Sequence, residues 1–298
     1  MSTENSQLKY LGYTFTAFIM WGLFPIYFKW LDQVDAFEIM AHRVVWSLVF
    51  MIIFMIAFRK RILLGKIVTT PALFWPLVAS SLLIAINWGL YVWAVVTEQV
   101  LATSLGYFIN PLVSVILGVI FLSETLNRRQ MVAVILVVIA IANMVWTVGE
   151  LPWISLTLAI SFGLYGLIRK QVEIDSFNGL LFEVLFIFPV AIGYLLYLGM
   201  NAELSFMTMG ISMDILLLLS GILTIMPLVF FAAGVKGINL STVGFIQYIA
   251  PSLSFMLAVF VFNEPFSVEK LISFVLIWTA LALISFDAWR RHRTSVAR

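Results

Sequence analysis

Apolar runs of roughly 20 residues, separated by short polar breaks, recur along the whole chain and limit what it can fold into. An α-helix of about this length crosses the roughly 30 Å hydrocarbon layer of a membrane. Because 63% of the residues are hydrophobic and 11% are charged, the sequence predicts an all-α polytopic membrane protein rather than a soluble fold. The ten predicted transmembrane helices cover residues 8–30, 36–58, 72–96, 100–122, 130–148, 152–169, 177–199, 213–235, 239–262 and 268–289.

The basic residues predict how these spans are oriented. If the N-terminus is cytoplasmic, 14 of the 17 Lys and Arg residues lie in cytoplasmic segments, whereas the outer loops hold only Lys270. Positive residues concentrate on the cytoplasmic side of membrane proteins. We therefore expect both termini to be cytoplasmic, which an even number of spans allows. Short turns are expected at Thr97–Gln99 and at Lys236–Asn239, where polar residues and Gly237 interrupt the apolar sequence.

The sequence also repeats itself at an offset of about 140 residues. The residues that recur at offsets of 139 to 141 are Gly22 and Gly163, Lys29 and Lys170, Thr103 and Thr242, Pro111 and Pro251, Ser114 and Ser254, and Glu124 and Glu264. Because five spans are an odd number, the second copy would be inverted in the membrane, as in secondary transporters that bind substrate at the repeat interface. The prediction is two inverted five-helix repeats, residues 1–150 and 151–298. Chance similarity between apolar sequences is the alternative.

The second predicted span contains three ionisable residues, Glu38, His42 and Arg43. If its helix enters the membrane near Asp35, Arg43 lies about 8 residues, or roughly 12 Å, inside the hydrocarbon layer. A charge there costs from about 2.5 to more than 10 kcal/mol, so it should face a bundle interior or a watery cavity and mark a functional pathway. The alternative is a buried tie between helices, in which Arg43 pairs with a carboxylate such as Glu38 or Glu183.

Polar and aromatic residues at helical spacing suggest what lines such a cavity, although each of them could instead hydrogen-bond across helices. The predicted substrate-binding residues are Trp21, Lys29, Glu38, His42, Arg43, Trp46, Asn87, Trp88, Tyr91, Tyr107, Asn110, Tyr165, Gln247 and Tyr248. His42 is the only side chain in the spans whose type has an unperturbed pKa near neutrality, and Glu183 lies inside the seventh span, so these two are the predicted proton carriers. The aromatic rings favour a flat, partly apolar substrate, and Arg43 and Lys29 favour an anion or zwitterion over a cation.

Other function classes are disfavoured by what the sequence lacks. It has no cysteine, no phosphate-binding G-x-x-x-x-G-K-[ST] loop, no H-E-x-x-H zinc pair and no G-x-S-x-G nucleophile elbow. We therefore expect neither an enzyme nor a cofactor or metal site, and the dispersed basic residues do not predict nucleic-acid binding. The fifth span is almost wholly Val, Ile and Ala, which suggests a peripheral helix or a homodimer contact. A small-molecule transporter is the leading hypothesis, and a membrane receptor or scaffold that does not transport is the rival.

Several motifs together resemble a known family. They are Trp21-Gly22, Tyr27-Phe28-Lys29, Glu38 with His42-Arg43 and Trp46-Ser47, Asn87-Trp88 with Tyr91 and Trp93-Ala94, and the stretch SLGYFINPL at 104–112. These motifs are similar to those of the RarD family, in the EamA branch of the drug/metabolite transporter superfamily. The resemblance covers nearly the whole chain. It implies ten helices in two inverted repeats around a central cavity, with the fifth and tenth helices outside, and says little about the substrate. The leading functional hypothesis is a secondary transporter that exports small amphiphilic or aromatic metabolites or drugs across a bacterial inner membrane.

Overall fold

The computed structural model describes residues 2–96, 100–148, 153–261, 271–272, 275–280 and 282–283. Within these ranges the chain is helical apart from short turns and contains no strand. Its helices are α1 (Ser2–Lys29), α2 (Ala36–Ala57), α3 (Leu64–Thr69), α4 (Pro71–Val96), α5 (Val100–Leu122), α6 (Arg128–Val148), α7 (Trp153–Gln171), α8 (Ser176–Met200), α9 (Ile211–Gly234), α10 (Leu240–Gln247) and α11 (Ile249–Phe260). Six stretches in this part of the chain have the length and apolar composition needed to cross a membrane, namely Gln7–Lys29, Ala36–Ala57, Pro71–Tyr91, Ser176–Met200, Ile211–Gly234 and Leu240–Leu257.

The starts of α2 and α8 are fixed by aspartates that lie 140 residues apart. The Asp35 carboxylate accepts hydrogen bonds from the backbone N–H groups of Phe37 and Glu38 at 2.9 and 3.1 Å. The Asp175 carboxylate accepts one from the backbone N–H of Asn178 at 3.1 Å. A side-chain oxygen at this position satisfies N–H groups that have no partner within the helix. Both helices therefore begin within one residue of the predicted spans.

Two features of the helical pattern differ from the sequence prediction. The short helix α3 was not expected, because a window of about 20 residues cannot detect six; it is anchored by Ile67, which is fully buried against Leu73 and Leu77. The predicted span 239–262 is divided at Tyr248 into α10 and α11. Pro251 contributes to the division, because it has no N–H for the carbonyl four residues earlier.

The predicted breaks between spans can be compared only in part. The turn at Lys236–Asn239 is confirmed, since the chain is not helical between α9 and α10. Thr97–Gln99 lies outside the described residues. Of the predicted span 268–289, the described residues 271–272, 275–280 and 282–283 are helical.

Helices of the first half of the chain pack mainly against helices of the second half. α1 contacts α9 and α11, α2 contacts α8 and α9, α4 contacts α7 and α8, and α5 contacts α7 and α10. Gly22 allows α1 to approach Leu253 of α11 so closely that an added methyl group would lie 2.8 Å from its Cβ. Gly163 of α7 does the same against Val113 of α5, with a distance of 2.7 Å. By contrast α6 packs on α5 and leaves apolar side chains such as Val132 and Ile139 exposed.

Candidate functional site

The buried guanidinium of Arg43 is the centre of the first polar site. Arg43 is the eighth residue of α2 and is only 8% exposed. Its Nε donates a hydrogen bond to Thr224 Oγ1 of α9 at 2.8 Å, and its Nη1 contacts Met40 Sδ at 3.0 Å. Three rings face it, with centroids 5.8, 5.6 and 5.4 Å from Cζ: Phe24, Phe28 and Trp88. We refer to Arg43, Thr224 and these three rings as the Arg43 site.

Arg43 has no carboxylate partner among the residues that the structure describes. The partners named by the alternative interpretation, Glu38 and Glu183, are both engaged elsewhere, so the tie from α2 to α9 is a hydrogen bond to a hydroxyl group. Tyr91 and Tyr107, whose rings are 5.9 Å apart, lie within electrostatic range of the guanidinium. A guanidinium in such surroundings can bind a carboxylate or phosphate through two parallel hydrogen bonds.

A second buried charged group lies between α7, α8 and α4. Glu183 Oε1 is 3.5 Å from Arg169 Nη1 and accepts a hydrogen bond from Ser80 Oγ at 2.6 Å. Its Oε2 accepts one from the Tyr165 hydroxyl at 3.2 Å. We call these four residues the Glu183 site. Arg169 and Glu183 are 0% and 1% exposed, so this is an ion pair inside the protein.

Sequence reasoning missed Arg169, because it follows an apolar run and precedes Lys170, a pattern typical of a cytoplasmic helix end. Gly179 makes room for it, since a methyl group at this position of α8 would overlap the guanidinium. The turn between α9 and α10 also contacts this region, as Lys236 donates a hydrogen bond to the carbonyl of Ile174. Burial lowers the pKa of Lys236, and Arg169 nearby lowers it further, whereas Asp175 raises it.

The Arg43 site and the Glu183 site meet at a narrow cavity between α2, α4, α7, α8 and α9. Trp88 of the Arg43 site lines it, and so do Tyr165 and Glu183 of the other site. The enclosed space is about 10 Å³, which is room for about one water molecule. The helices are therefore closed around the cavity in this conformation, and a larger molecule would enter only if they moved apart.

Three predicted site residues lie together at the start of α2 and hold the loop between α8 and α9. Glu38 Oε1 accepts hydrogen bonds from the backbone N–H groups of Ser205 and Phe206 at 2.8 and 3.2 Å. It also lies 3.6 Å from His42 Nε2. His42 Nδ1 accepts a hydrogen bond from Trp46 Nε1 at 3.2 Å, and the His42 and Phe206 rings are 5.1 Å apart. We call this group the Glu38 clasp, because it ties the loop to α2.

Other predicted site residues make hydrogen bonds between helices. Asn87, Gln247 and Tyr248 are the donors. Their acceptors, at 2.8 to 3.2 Å, are respectively the Leu158 carbonyl, the Ser114 hydroxyl and the Phe108 carbonyl. These bonds connect α4 with α7 and α5 with the break between α10 and α11.

The last three predicted site residues have different surroundings. Trp21 packs against Phe162 and Phe231, which also lie beside Tyr165. Asn110 is buried, and its Oδ1 has no hydrogen-bond partner in the described part of the chain. Lys29 is exposed at the last turn of α1. The structure thus brings Arg43 and Trp88 together, sets the rings of Tyr91 and Tyr107 side by side, and places Tyr165 with Glu183.

Comparisons with known proteins identify the relatives of this chain. The model of the EamA-like transporter family matches residues 8–146 and again residues 151–286. The chain is 42% identical to Protein RarD of Escherichia coli (strain K12) over 94% of this chain and 95% of that protein. It is 43% identical to the uncharacterized transporter YojE of Bacillus subtilis (strain 168), over 95% and 96%. A crystal structure with 18% sequence identity has a similar fold, with a TM-score of 0.71 over 93% of this chain and 96% of the other.

Proposed function

We propose that this chain exports small aromatic or amphiphilic molecules. It belongs to the EamA-like transporter family and is a relative of RarD, so it is a membrane transporter and not an enzyme. The family assignment confirms the resemblance drawn from the sequence motifs. The proposed membrane is the bacterial inner membrane, and the proposed mechanism is alternating access, driven by an ion gradient or by the substrate gradient itself. Anions and zwitterions are the preferred substrates.

The observation that carries this proposal is the Arg43 site. A buried guanidinium without a carboxylate partner among the described residues favours an anionic group beside it. The rings of Phe24, Phe28 and Trp88 add faces on which an aromatic substrate can pack. A scaffold that binds no ligand would gain nothing from this arrangement, because burying a charge has a high energetic cost in a membrane.

We propose that the chain crosses the membrane ten times, in two inverted repeats over residues 1–150 and 151–298, with both termini cytoplasmic. The separate matches of the family to each half of the chain support the repeat. The helix contacts support it too, since α1 packs on α9 as α7 packs on α4, and α2 packs on α9 as α8 packs on α4. So do the aspartate caps at Asp35 and Asp175 and the close contacts of Gly22 and Gly163.

Proton coupling and dimerisation complete the proposal. Glu183 lines the cavity and His42 lies in the Glu38 clasp, and both can change protonation state as the helices move. The exposed apolar side chains of α6 support a homodimer contact on that helix. The remaining substrate-binding residues are proposed to act when the cavity opens.

Transport by purified protein in liposomes tests the function. We expect export of aromatic carboxylates, and not of polyamines or sugars, and we expect Arg43→Lys to reduce the rate strongly because an ammonium cannot form two parallel hydrogen bonds. Arg61→Lys, at an exposed position, is the matched control. Native transport rates in Arg43→Lys, or export restricted to polyamines or sugars, would contradict the proposal.

A further inference from the structure

The residue offset of the two halves relates the Arg43 site to the Glu183 site. Arg43 and Glu183 are 140 residues apart, and each is the eighth residue of its helix, α2 or α8. The residues around them correspond as well. At an offset of 141, Phe24 and Phe28, whose rings face Arg43, correspond to Tyr165 and Arg169, which contact Glu183.

The cavity between the two sites follows the same relation. Its wall includes Val44 and Val184, which are 140 residues apart, and Trp88 and Leu228, which are also 140 apart. Equivalent positions of the two halves therefore face each other across one space. A molecule in that space contacts Trp88 of the Arg43 site and Tyr165 and Glu183 of the Glu183 site.

The two sites differ in how their guanidinium groups are satisfied. Arg169 is fully buried, and two of its nitrogens, Nε and Nη1, have no hydrogen-bond acceptor within the described residues. Its Nη2 donates to the Ser176 carbonyl at 3.3 Å. Glu183, in contrast, has hydroxyl donors on both oxygens, from Ser80 and Tyr165. Glu183 can therefore lose Arg169 and keep two hydrogen bonds, whereas among the described residues Arg169 Nε has no acceptor and Nη1 has only the ion-pair contact with Glu183 at 3.5 Å.

We propose that Arg169 is a second anion-binding residue of the transport path, and that Glu183 occupies the place that a substrate carboxylate takes. During transport the carboxylate replaces Glu183 beside Arg169 at one stage and binds Arg43, on the other half of the molecule, at another. No covalent bond changes: Arg169 exchanges one carboxylate for another, and Glu183 keeps the hydrogen bonds from Ser80 and Tyr165. The inference rests on the proposed function, because it assumes an organic anion as substrate.

Binding of phenylacetate and of its neutral analogue phenylacetamide to the purified full-length protein tests this inference. The measured quantity is the ratio of the two affinities, because a general packing defect changes both alike. In Glu183→Gln, which frees Arg169, we expect the ratio to rise about tenfold, as for a gained charge-assisted hydrogen bond. The double variant Arg169→Gln, Glu183→Gln removes both charges together, and there the gain should disappear. A ratio unchanged in Glu183→Gln, or a rise that persists in the double variant, would overturn the inference.

Transport by the double variant provides a second test if Glu183→Gln does not fold. Because this variant leaves no uncompensated charge, we expect it to fold, to bind phenylacetate within about threefold of the native affinity through Arg43, and to export it at least about tenfold more slowly. Export at the native rate would rule out a role for Arg169. Arg43→Gln separates the two proposals. If the ratio of the phenylacetate and phenylacetamide affinities is unchanged in Arg43→Gln, the proposed function fails. If Arg43→Gln lowers that ratio but the variants at Arg169 and Glu183 leave it unchanged, only the present inference is refuted.

Discussion

The Arg43 site and the Glu183 site occupy related positions in the two halves of the chain, yet they solve the problem of a buried charge in opposite ways. Arg43 is surrounded by aromatic rings and has one hydroxyl acceptor, Thr224. Glu183 has a guanidinium and two hydroxyl donors around it. Among the described residues, the first site has a positive charge with no carboxylate partner, and the second is neutral as a pair.

This difference suggests a division of labour in an otherwise symmetric bundle. A neutral pair needs no ligand and can hold helices together in the closed conformation. An uncompensated guanidinium is satisfied best when an anion is present, which makes its half of the cavity the one that selects the substrate. If both halves carried the Arg43 arrangement, two positive charges without counter-ions would lie near one cavity. If both halves carried the Arg169–Glu183 pair, neither half would have a net positive charge to attract an anion.

The largest expected effect comes from breaking the pair. Arg169→Leu leaves Glu183 buried with no counter-ion and should lower the free energy of unfolding by about 3–5 kcal/mol. Arg43→Leu should cost less, because it strands no buried carboxylate. Reversible unfolding in detergent micelles measures both. The double variant Arg169→Leu, Glu183→Leu should recover most of the loss, and equal losses in the two single variants would show that the sites do not differ in this way.

A smaller effect is expected from filling the space that holds Arg169. Gly179→Ala puts a methyl group where the guanidinium lies, so the ion pair with Glu183 must shift. Such overpacking should lower the free energy of unfolding by about 3 kcal/mol.

The same helix offers a matched control for that experiment. Gly193 of α8 has nothing within 4 Å of an added methyl group, so Gly193→Ala should be neutral or slightly stabilising. Thermal unfolding followed by circular dichroism compares the two variants. Similar midpoints for Gly179→Ala and Gly193→Ala would mean that Arg169 can leave its position at little cost.

The two sites also differ in how far the sequence predicts them. The membrane helices could be predicted because about 20 apolar residues have few alternatives to crossing a bilayer. Arg43 could be predicted because a charge in the middle of such a run is costly in the hydrocarbon layer and therefore marks a functional position. Arg169 could not be predicted, since a basic residue at the end of an apolar run is already explained as a cytoplasmic helix end. Applying the repeat offset to Phe28 would have pointed to Arg169 as the equivalent residue.

The Glu38 clasp shows a second limit of sequence reasoning. Glu38, His42 and Trp46 share one face of α2, which is what helical spacing predicts. Their partners are the backbone N–H groups of Ser205 and Phe206, in a loop more than 160 residues away. Backbone groups carry no side-chain signature, so no pattern in the sequence identifies them. The break at Tyr248 lies beside Pro251, but Pro111 and Pro189 lie inside unbroken helices, so a proline alone does not predict a break.

The smallest expected effect comes from making the Arg43 site more like its counterpart. Trp88→Leu introduces the residue found at the equivalent position, Leu228, and removes the ring whose centroid is 5.4 Å from Arg43 Cζ. If the substrate ring packs on Trp88, that aromatic pair contributes on the order of 1 kcal/mol, so we expect binding of phenylacetate to weaken about fivefold. Trp75→Leu, which changes an exposed tryptophan of the same helix, is the control and should leave the affinity unchanged. If Trp88→Leu binds phenylacetate as tightly as the native protein, the ring does not select the substrate, and the contrast between the two sites reduces to their charge.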